Sequence, residues 1–465
     1  MVAESVEYNR GIIINMGLIE RIKNIPAIKF VSRLPLVSKT YHFFLSLIGA
    51  WIYGFPGKKI YMIGVTGTKG KTTTLELLNS ILEAAGEKTA LISSVRVKIG
   101  SESAINDTGN TMPRRFYLAR FLRNAIKAHC TVALIEVTSQ GTELSYHRFM
   151  KWGMGIITNI SPEHIEAHGS YEAYRYAKLK FLEYVLRKKG VVFINKEDPN
   201  SRFFIEVLKK RKIVVLYSRE DAHIQSLLSR PSLFRKPEES PPDFILNDFN
   251  KDNLAAAETA ARYIDIPENV IEDGVRNFRG VPGRMEFVQK GGITVVIDYA
   301  HTPESLEAVY ETLKLMTNDQ QLKTKSSRQS SVVSSKLICV LGSAGGGRDK
   351  WKRPAMGEIA SRYCDEIILT NEDPYDEDPN LILSEIKSGI INDQFSPSTS
   401  SGQAISNVTE IPDRGEAINK AISFAKDGDV VVITGKGSEL WIHGANGTKT
   451  PWNERRAVEN ALGIK

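Results

Sequence analysis

No stretch of this chain constrains its fold as tightly as Gly64 to Thr74, GVTGTKGKTTT. A short β-branched run, Ile60 to Val65, precedes it and a helical pattern, TLELLNSILEAAG, follows, so the glycines sit where a strand passes into a helix. That is the setting of a phosphate-binding loop. Gly67 and Gly70 free backbone N–H groups to face phosphate oxygens, and the helix N-terminus adds the positive end of its dipole. Lys71 can then reach the β and γ phosphates and Thr72 can hold Mg2+, with Thr68, Lys69 and Thr73 completing the loop. The strict motif has glycine where this chain has Val65, so the match is to a variant, GTxGKTT. An ordinary glycine-rich turn would need neither the strand, the helix nor the adjacent Lys and Thr.

A strand carrying such a loop needs partners, and the sequence supplies two series of them. The first contains Ile60 to Val65, Val132 to Val137, Gly155 to Asn159, Val191 to Asn195 and Ile213 to Tyr217, with a helical stretch at Asp252 to Ile264. The second contains Ile293 to Asp298, Leu337 to Leu341, Glu366 to Thr370 and Asp429 to Thr434. Short β-branched runs alternating with helical periodicity indicate parallel sheets buried on both faces. At 465 residues the chain is roughly three domain lengths of about 150 residues, too long for one core. We expect a boundary near Gly280 to Gly283, giving a short segment 1–58, a first α/β domain 59–281 and a second 282–465. Arg230 to Asp243, Thr317 to Ser335 and Ser396 to Asn407 lack periodicity and read as surface loops. There is no internal repeat.

Composition narrows the functional classes. Hydrophobic residues at 42% and charged residues at 25% exclude wholesale disorder, collagen-like repeats and a polytopic membrane protein. A net charge of +7 suits anionic, phosphorylated ligands but is spread too evenly for a nucleic-acid binder. Cys130, Cys339 and Cys364 are odd in number and lack metal-ligand spacing, which argues against a disulfide framework or zinc site and for a reducing cytosol. No signal-peptide pattern opens the chain, so a cytoplasmic location is expected. Thr40 to Phe55, TYHFFLSLIGAWIYGF, is the most apolar stretch, but its 16 residues fall short of the ~20 that span a bilayer. Two readings remain for it. One is a helix docked on the next domain. The other is an interfacial helix making peripheral membrane contact, with Trp51 and Tyr53 at headgroup depth and Lys23, Lys29, Arg33 and Lys39 facing anionic lipid.

Open α/β sheets place ligand residues at the carboxyl ends of their strands. Glu136 ends one strand, and His164 and His168 follow another, so these could bind a second Mg2+; each alone is equally explained as a solvated surface group. Lys178 lies on the next helix, where a single lysine is ordinarily solvated.

GVTGTKGKTTT, EVTSQG, TNISPEHIEAHGSYEAYRYAK, GRMEF, VIDYAHTP, GSAGGGRDKWKRPAMG and GKGSE occur in that order. Together they resemble the Mur ligases of peptidoglycan synthesis, most closely the MurE type, which adds an amino acid to a UDP-N-acetylmuramoyl dipeptide. The resemblance runs from about Lys59 to the C-terminus. It implies an α/β fold with a P-loop ATPase-like central parallel-sheet domain followed by a Rossmann-like C-terminal domain. It implies ATP as the nucleotide, held with two Mg2+ ions: Lys71 and Thr72 at the phosphates, Glu136 and His164 on the second ion, and Lys178 carbamylated in support. Asn253, Arg284, Asp298 and His301 match nucleotide-contacting positions. Asn110, Thr111 and Pro113 match the UDP-sugar segment, with Met112 replacing the usual Thr. Arg348, Asp373, Pro374, Tyr375, Asp376 and Glu439 fall where the amino acid and acceptor bind. The implied partners are a UDP-muramoyl peptide and a free amino acid, with no nucleic acid. The implied chemistry is attack of a substrate carboxylate on the γ-phosphate, then displacement of phosphate by an amine.

Two departures stand out. Diaminopimelate-selecting members carry DNPR; here NEDPYDEDP keeps Asp373 and Pro374 but has Tyr375 where Arg would clamp the distal carboxylate. Asp376 and Glu377 beside it could receive a cation, as lysine or ornithine would offer, or could be solvated loop acids. The phosphate loop also arrives by residue 64, whereas the family places a uridine-binding domain of about ninety residues ahead of it. Either uridine recognition is rebuilt from the apolar helix and central domain, or the acceptor is a different one, such as a lipid-linked muramoyl peptide. Other readings are a folylpolyglutamate synthase-like ligase, which lacks this DYAHTP, GGGRDKWKRP and DPYDEDP combination, and a non-catalytic nucleotide-binding scaffold, which needs no second metal site. The oligomeric state is not legible.

Overall fold

The computed structural model describes residues 35–163, 165–209, 213–230, 247–326, 335–347, 349–393 and 407–464. Eight strands form the first sheet: β1 (Tyr61–Thr66), β2 (Thr89–Ile92), β3 (Arg96–Ile99), β4 (Glu102–Ile105), β5 (Val132–Glu136), β6 (Trp152–Ile157), β7 (Val191–Asn195) and β8 (Val214–Tyr217), in the order β4-β3-β2-β5-β1-β6-β7-β8. The pairings from β2 through β8 are parallel, while β3 and β4 fold back antiparallel on the β2 edge. Six strands form the second: β9 (Glu286–Lys290), β10 (Ile293–Ile297), β11 (Leu337–Leu341), β12 (Glu366–Leu369), β13 (Asn407–Glu410) and β14 (Val430–Ile433), in the order β13-β12-β11-β14-β10-β9 with only β9 antiparallel. A hairpin, β15 (Trp441–His443) and β16 (Lys449–Pro451), follows.

The strands read as continuous apolar runs because each sheet is covered on both faces. Successive side chains of a strand point to opposite faces. Met62 therefore packs with Trp152 and Phe181 on one side of the first sheet, while Ile63 and Val65 meet Leu75, Leu78 and Ala256 on the other. In the second sheet Val430 and Val432 enter one core and Val431 and Ile433 the other. The polar β3 and β4 and the two-residue turn before β10 carry no such run.

Three expectations need correction. Part of the expected loop Thr317 to Ser335 is helical, since helix Pro303–Ser326 runs through its start. Asn407 begins β13 rather than ending a loop. Cys339 of β11 and Cys364, just past helix Lys352–Tyr363, form a disulfide, against the expectation of none. The helix returns the chain to the start of β12 beside β11, so residues 25 apart in sequence have Cα atoms 6.0 Å apart. The remaining loops, 231–243 and 396–406, and residues 1–34 of the N-terminal segment lie outside the described residues.

The apolar stretch forms helix Pro35–Ile52, docked on helix Arg115–Lys127. Arg115 Nη2 lies 2.7 Å from His42 Nδ1, and the Phe43 and Phe149 rings meet edge to face. Among the described residues no helix is long and apolar enough to cross a membrane.

Candidate active site

The carboxyl ends of both sheets face one cleft of about 750 Å³. Phosphate-loop residues, Glu136 and Lys178 enter it from the first sheet, and Arg284, Asp298, His301 and Glu439 from the second.

The loop leaves β1 and opens helix Lys71–Ala84. Gly67 has φ +141°, and a Cβ there would stand 1.9 Å from Thr158 Oγ1. Gly70 has φ +78°, and its Cβ would stand 2.1 Å from Asn253 Oδ1. Only glycine fits two left-handed positions this close to neighbours. The loop is strapped to the end of β6: Thr68 N–H donates to Asn159 O at 3.0 Å, Lys69 N–H to Asn159 Oδ1 at 2.9 Å, and Thr158 Oγ1 to Lys69 O at 2.6 Å. Asn253, on helix Asp248–Tyr263, braces the other side by accepting from Thr74 Oγ1 at 3.2 Å. Gly67→Ala is expected to weaken nucleotide binding more than about tenfold while the thermal transition moves little, because strain and clash are confined to the loop. Titration with a fluorescent ATP analogue, alongside thermal unfolding, checks this.

Two lysines converge on one carbonyl. Lys71 Nζ donates to Gly67 O at 3.1 Å and Thr68 O at 2.8 Å, and Lys178 Nζ donates to Gly67 O at 2.7 Å. Lys178, on helix Tyr171–Arg187, is 2% exposed, not the solvated charge of an isolated helical lysine. Burial, reinforced by Lys71, pushes its ammonium well below the ordinary lysine range. Burial also lowers Lys71, opposed by Glu136 and Glu163.

Glu136 ends β5 fully buried, with both carboxylate oxygens lacking a hydrogen bond of good geometry. Burial raises its carboxyl, against the pull of Lys71. Thr72 Oγ1 pairs with Ser94 Oγ at 2.9 Å, and Thr72, Ser94 and Glu136 all line the cleft. A buried carboxylate whose oxygens make no well-formed hydrogen bond, beside a hydroxyl at a helix N-terminus, is a donor set that fits a hard cation such as Mg2+. His164 lies outside the described residues. His168 does not line the cleft; its Nε2 lies 3.0 Å from Ser139 Oγ. Among the described residues no group of three His, Cys, Asp or Glu gathers to hold a metal.

From the second sheet, Asp298 directly follows β10 and accepts from Met285 N–H and Ala300 N–H, each at 2.7 Å, which fixes the turn carrying Arg284. The Arg284 guanidinium lies 4.1 Å from the Tyr299 ring centroid. Gly283 packs directly on the Lys436–Glu439 loop: a Cβ there would stand 2.3 Å from Ser438 N, and one on Gly437 would stand 2.9 Å from Arg284 Nη1. Burial and Lys69 hold the His301 ring down at about 4 despite Glu163, so it is neutral at neutral pH. Glu163 joins the sheets, its carboxylate 3.0 Å from Lys69 Nζ and 3.4 Å from His301 Nε2.

Glu439, half-exposed to the cleft, is tied to the buried Lys436 and Asp373. Tyr299 OH donates to its Oε1 at 2.8 Å, and Lys436 Nζ donates to its Oε2 at 2.5 Å and to Asp373 Oδ1 at 2.9 Å. Burial would raise the Glu439 carboxyl, but Lys436 and Tyr299 outweigh it and leave it lowered. Asp373 therefore acts on the cleft through Lys436 and does not line it.

Asn110 and Thr111 line the cleft; Pro113, Pro374, Tyr375 and Asp376 do not. Tyr375 has φ +51° and stacks on His443 of the hairpin, centroids 5.3 Å apart. Asp376 accepts from Asn446 N–H at 2.7 Å. Glu377 is held by Gly347 N–H, Arg353 and Lys350, which overcome burial and lower its carboxyl to about 2. It is not the open receptor for a substrate cation that the sequence suggested. Arg348 lies outside the described residues. Ser94, Glu163, Tyr299 and Lys436 were missed as site residues, although all except Ser94 stand inside motifs already noted.

Residues 65–246 match the Mur ligase middle domain and 283–437 the Mur ligase, glutamate ligase domain. The UDP-N-acetylmuramyl-tripeptide synthetase of Roseiflexus sp. (strain RS-1) is 32% identical over 90% of this chain and 81% of its own. The UDP-N-acetylmuramoyl-L-alanyl-D-glutamate--2,6-diaminopimelate ligase of Halalkalibacterium halodurans is 31% identical over 85% and 77%. A solved UDP-N-acetylmuramoyl-L-alanyl-D-glutamate--2,6-diaminopimelate ligase superposes with TM-score 0.52 at 28% identity, covering 87% of this chain and 78% of that one. The Yersinia pestis folylpolyglutamate synthase/dihydrofolate synthase reaches TM-score 0.59 at 18% identity over 86% and 94%, a likeness of fold alone. With both α/β units matched by the family's domains and relatives at 31–32% identity over most of the chain, this chain belongs to the Mur ligase family.

Proposed function

We propose that the chain is an ATP-dependent ligase that joins an amino acid to the peptide carboxylate of a UDP-N-acetylmuramoyl dipeptide in the cytoplasm. The observation that carries this is the single cleft, lined by the phosphate loop on one side and by Glu439 on the other. A carboxylate oxygen attacks the γ-phosphorus, forming an O–P bond as the bond to ADP breaks. The amine then attacks the acyl carbon and phosphate leaves, the amine proton passing to phosphate or solvent. Lys71, the loop N–H groups and Arg284 neutralise the transferring phosphoryl oxygens. Thr72 and Glu136, with Lys178 as its carbamate, would hold Mg2+, which supplies Lewis-acid charge neutralisation when bound. Glu439, fixed by Lys436 and Tyr299, orients the incoming amine.

The proposed division is 1–58, an N-terminal segment carrying the apolar helix; 59–281, the nucleotide domain; and 282–465, the amino-acid domain. Tyr375, stacked on His443, takes the position where an arginine would clamp a second carboxylate, which favours lysine or ornithine over diaminopimelate. The test is phosphate release with ATP, Mg2+ and the UDP-muramoyl dipeptide across these three amino acids. Turnover with lysine or ornithine is expected; turnover with diaminopimelate alone overturns the specificity, and silence with all three overturns the ligase reading.

A further inference from the structure

Helix Pro35–Ile52 is apolar on both faces. Ser46, Gly49 and Ala50 are buried, and the Phe116 ring of helix Arg115–Lys127 lies 3.5 Å from where a Cβ on Gly49 would stand. Phe44, Ile48, Trp51 and Ile52 are 53%, 44%, 69% and 56% exposed. At about 100° per residue these four lie diametrically opposite the buried three. A surface helix ordinarily turns a polar face outward; one that is apolar all round belongs where both sides are covered.

Charge says what the cover is. Exposed Lys58 and Lys59 follow the helix, and exposed Arg123 and Lys127 stand on the helix it packs against. Lys59, Arg123 and Lys127 also line, with Tyr53, a separate cavity of about 250 Å³. No Asp or Glu occurs between Glu20 and Glu76, nor between Asp107 and Glu136, so neither helix carries a carboxylate to balance these cations. A second copy laid symmetrically on this face would oppose like charges. The chain's own Arg21 to Arg33 has four cations and no carboxylate, and would do the same; cover by Met1 to Glu20, which carries Glu4, Glu7 and Glu20, would leave the face closed to lipid and show in the test below as absence of flotation. An anionic bilayer satisfies both features at once: apolar side chains enter the headgroup boundary, Trp51 and Tyr53 sit at interfacial depth, and the cations meet lipid phosphates.

We propose that this face docks the enzyme on anionic membrane, with Phe44, Ile48, Trp51 and Ile52 inserted and Lys58, Lys59, Arg123 and Lys127 holding headgroup phosphates. The proposal is independent of the ligase reading. It is tested by flotation of the full chain with phosphatidylcholine vesicles and with mixed phosphatidylcholine–phosphatidylglycerol vesicles. The chain is expected to float with the mixed vesicles and be released by salt. Ile48→Glu/Trp51→Glu, and separately Lys58→Glu/Lys59→Glu, are expected to lower binding about tenfold or more, with phosphate release unchanged. The second pair keeps the test open should the first not fold. Absence of flotation, flotation unaffected by both pairs, or a dimer that the first pair splits into monomers would each overturn it.

Discussion

Lys178→Ala lowers amino-acid-dependent phosphate release about 10²-fold or more, and small carboxylates such as formate or acetate restore part of it. The reason lies in the two lysines that share Gly67 O. Burial pushes the Lys178 ammonium well below the ordinary lysine range, which favours the neutral amine, the form that adds CO2. Carbamylation would turn the group facing Lys71 into an anion, removing the repulsion by which Lys71 disfavours a charged Lys178. Lys178→Arg, a permanent cation that cannot be carbamylated, should be as inactive as the alanine variant and resist rescue. Carbon-13 bicarbonate gives the direct readout, a carbamate resonance present in the parent and absent from both variants. A merely structural lysine would be rescued by arginine and indifferent to formate.

Arg414→Met destabilises the second sheet by about 3–5 kcal/mol, a fall in its melting temperature of roughly 10 °C. Arg414 and Glu454 are both 2% exposed. Arg414 pairs with both oxygens of Glu454 and donates to Thr434 O at 2.7 Å and Asn371 O at 3.1 Å. Removing the guanidinium strands a carboxylate in the core and leaves two strand-end carbonyls without their donor. Those strand ends lead into Lys436 and Asp373, so the variant should also raise KM for the amino acid more than it lowers kcat. Calorimetry of Arg414→Met against Arg414→Met/Glu454→Leu checks the cause: the double variant should recover most of the loss, since two apolar side chains leave no unpaired charge.

What could be read in the sequence divides along physical lines. Strands such as Val191–Asn195 and Leu337–Leu341 were legible to the residue because a parallel strand covered on both faces is unbroken apolar sequence. Arg96–Ile99 and Glu102–Ile105 were not, because an edge hairpin places charges on its surface and its partner is fixed by tertiary position. The phosphate loop announced itself because its chemistry is local. Glu163 takes its meaning from His301 of the other sheet, and Tyr299 and Lys436 from partners 140 and 63 residues away in the chain, which no local pattern displays. The Cys339–Cys364 bond escaped for the same reason, since its spacing reflects one crossover helix rather than a cysteine pattern.

Gly283 lies flat on Gly437 and Ser438, with no room for a methyl group between the two backbones. The segment carrying Arg284 and the loop carrying Glu439 are thereby welded into one body, and any hinge between the sheets must lie on the N-terminal side of Gly283. On the roles proposed above, any swing of the second unit would carry the phosphate-directed Arg284 guanidinium and the amine-directed Glu439 carboxylate together. If Arg284 contacts the nucleotide as proposed, linkage requires reciprocity: whatever factor the amino acid contributes to ATP affinity by favouring closure, ATP returns to the amino acid.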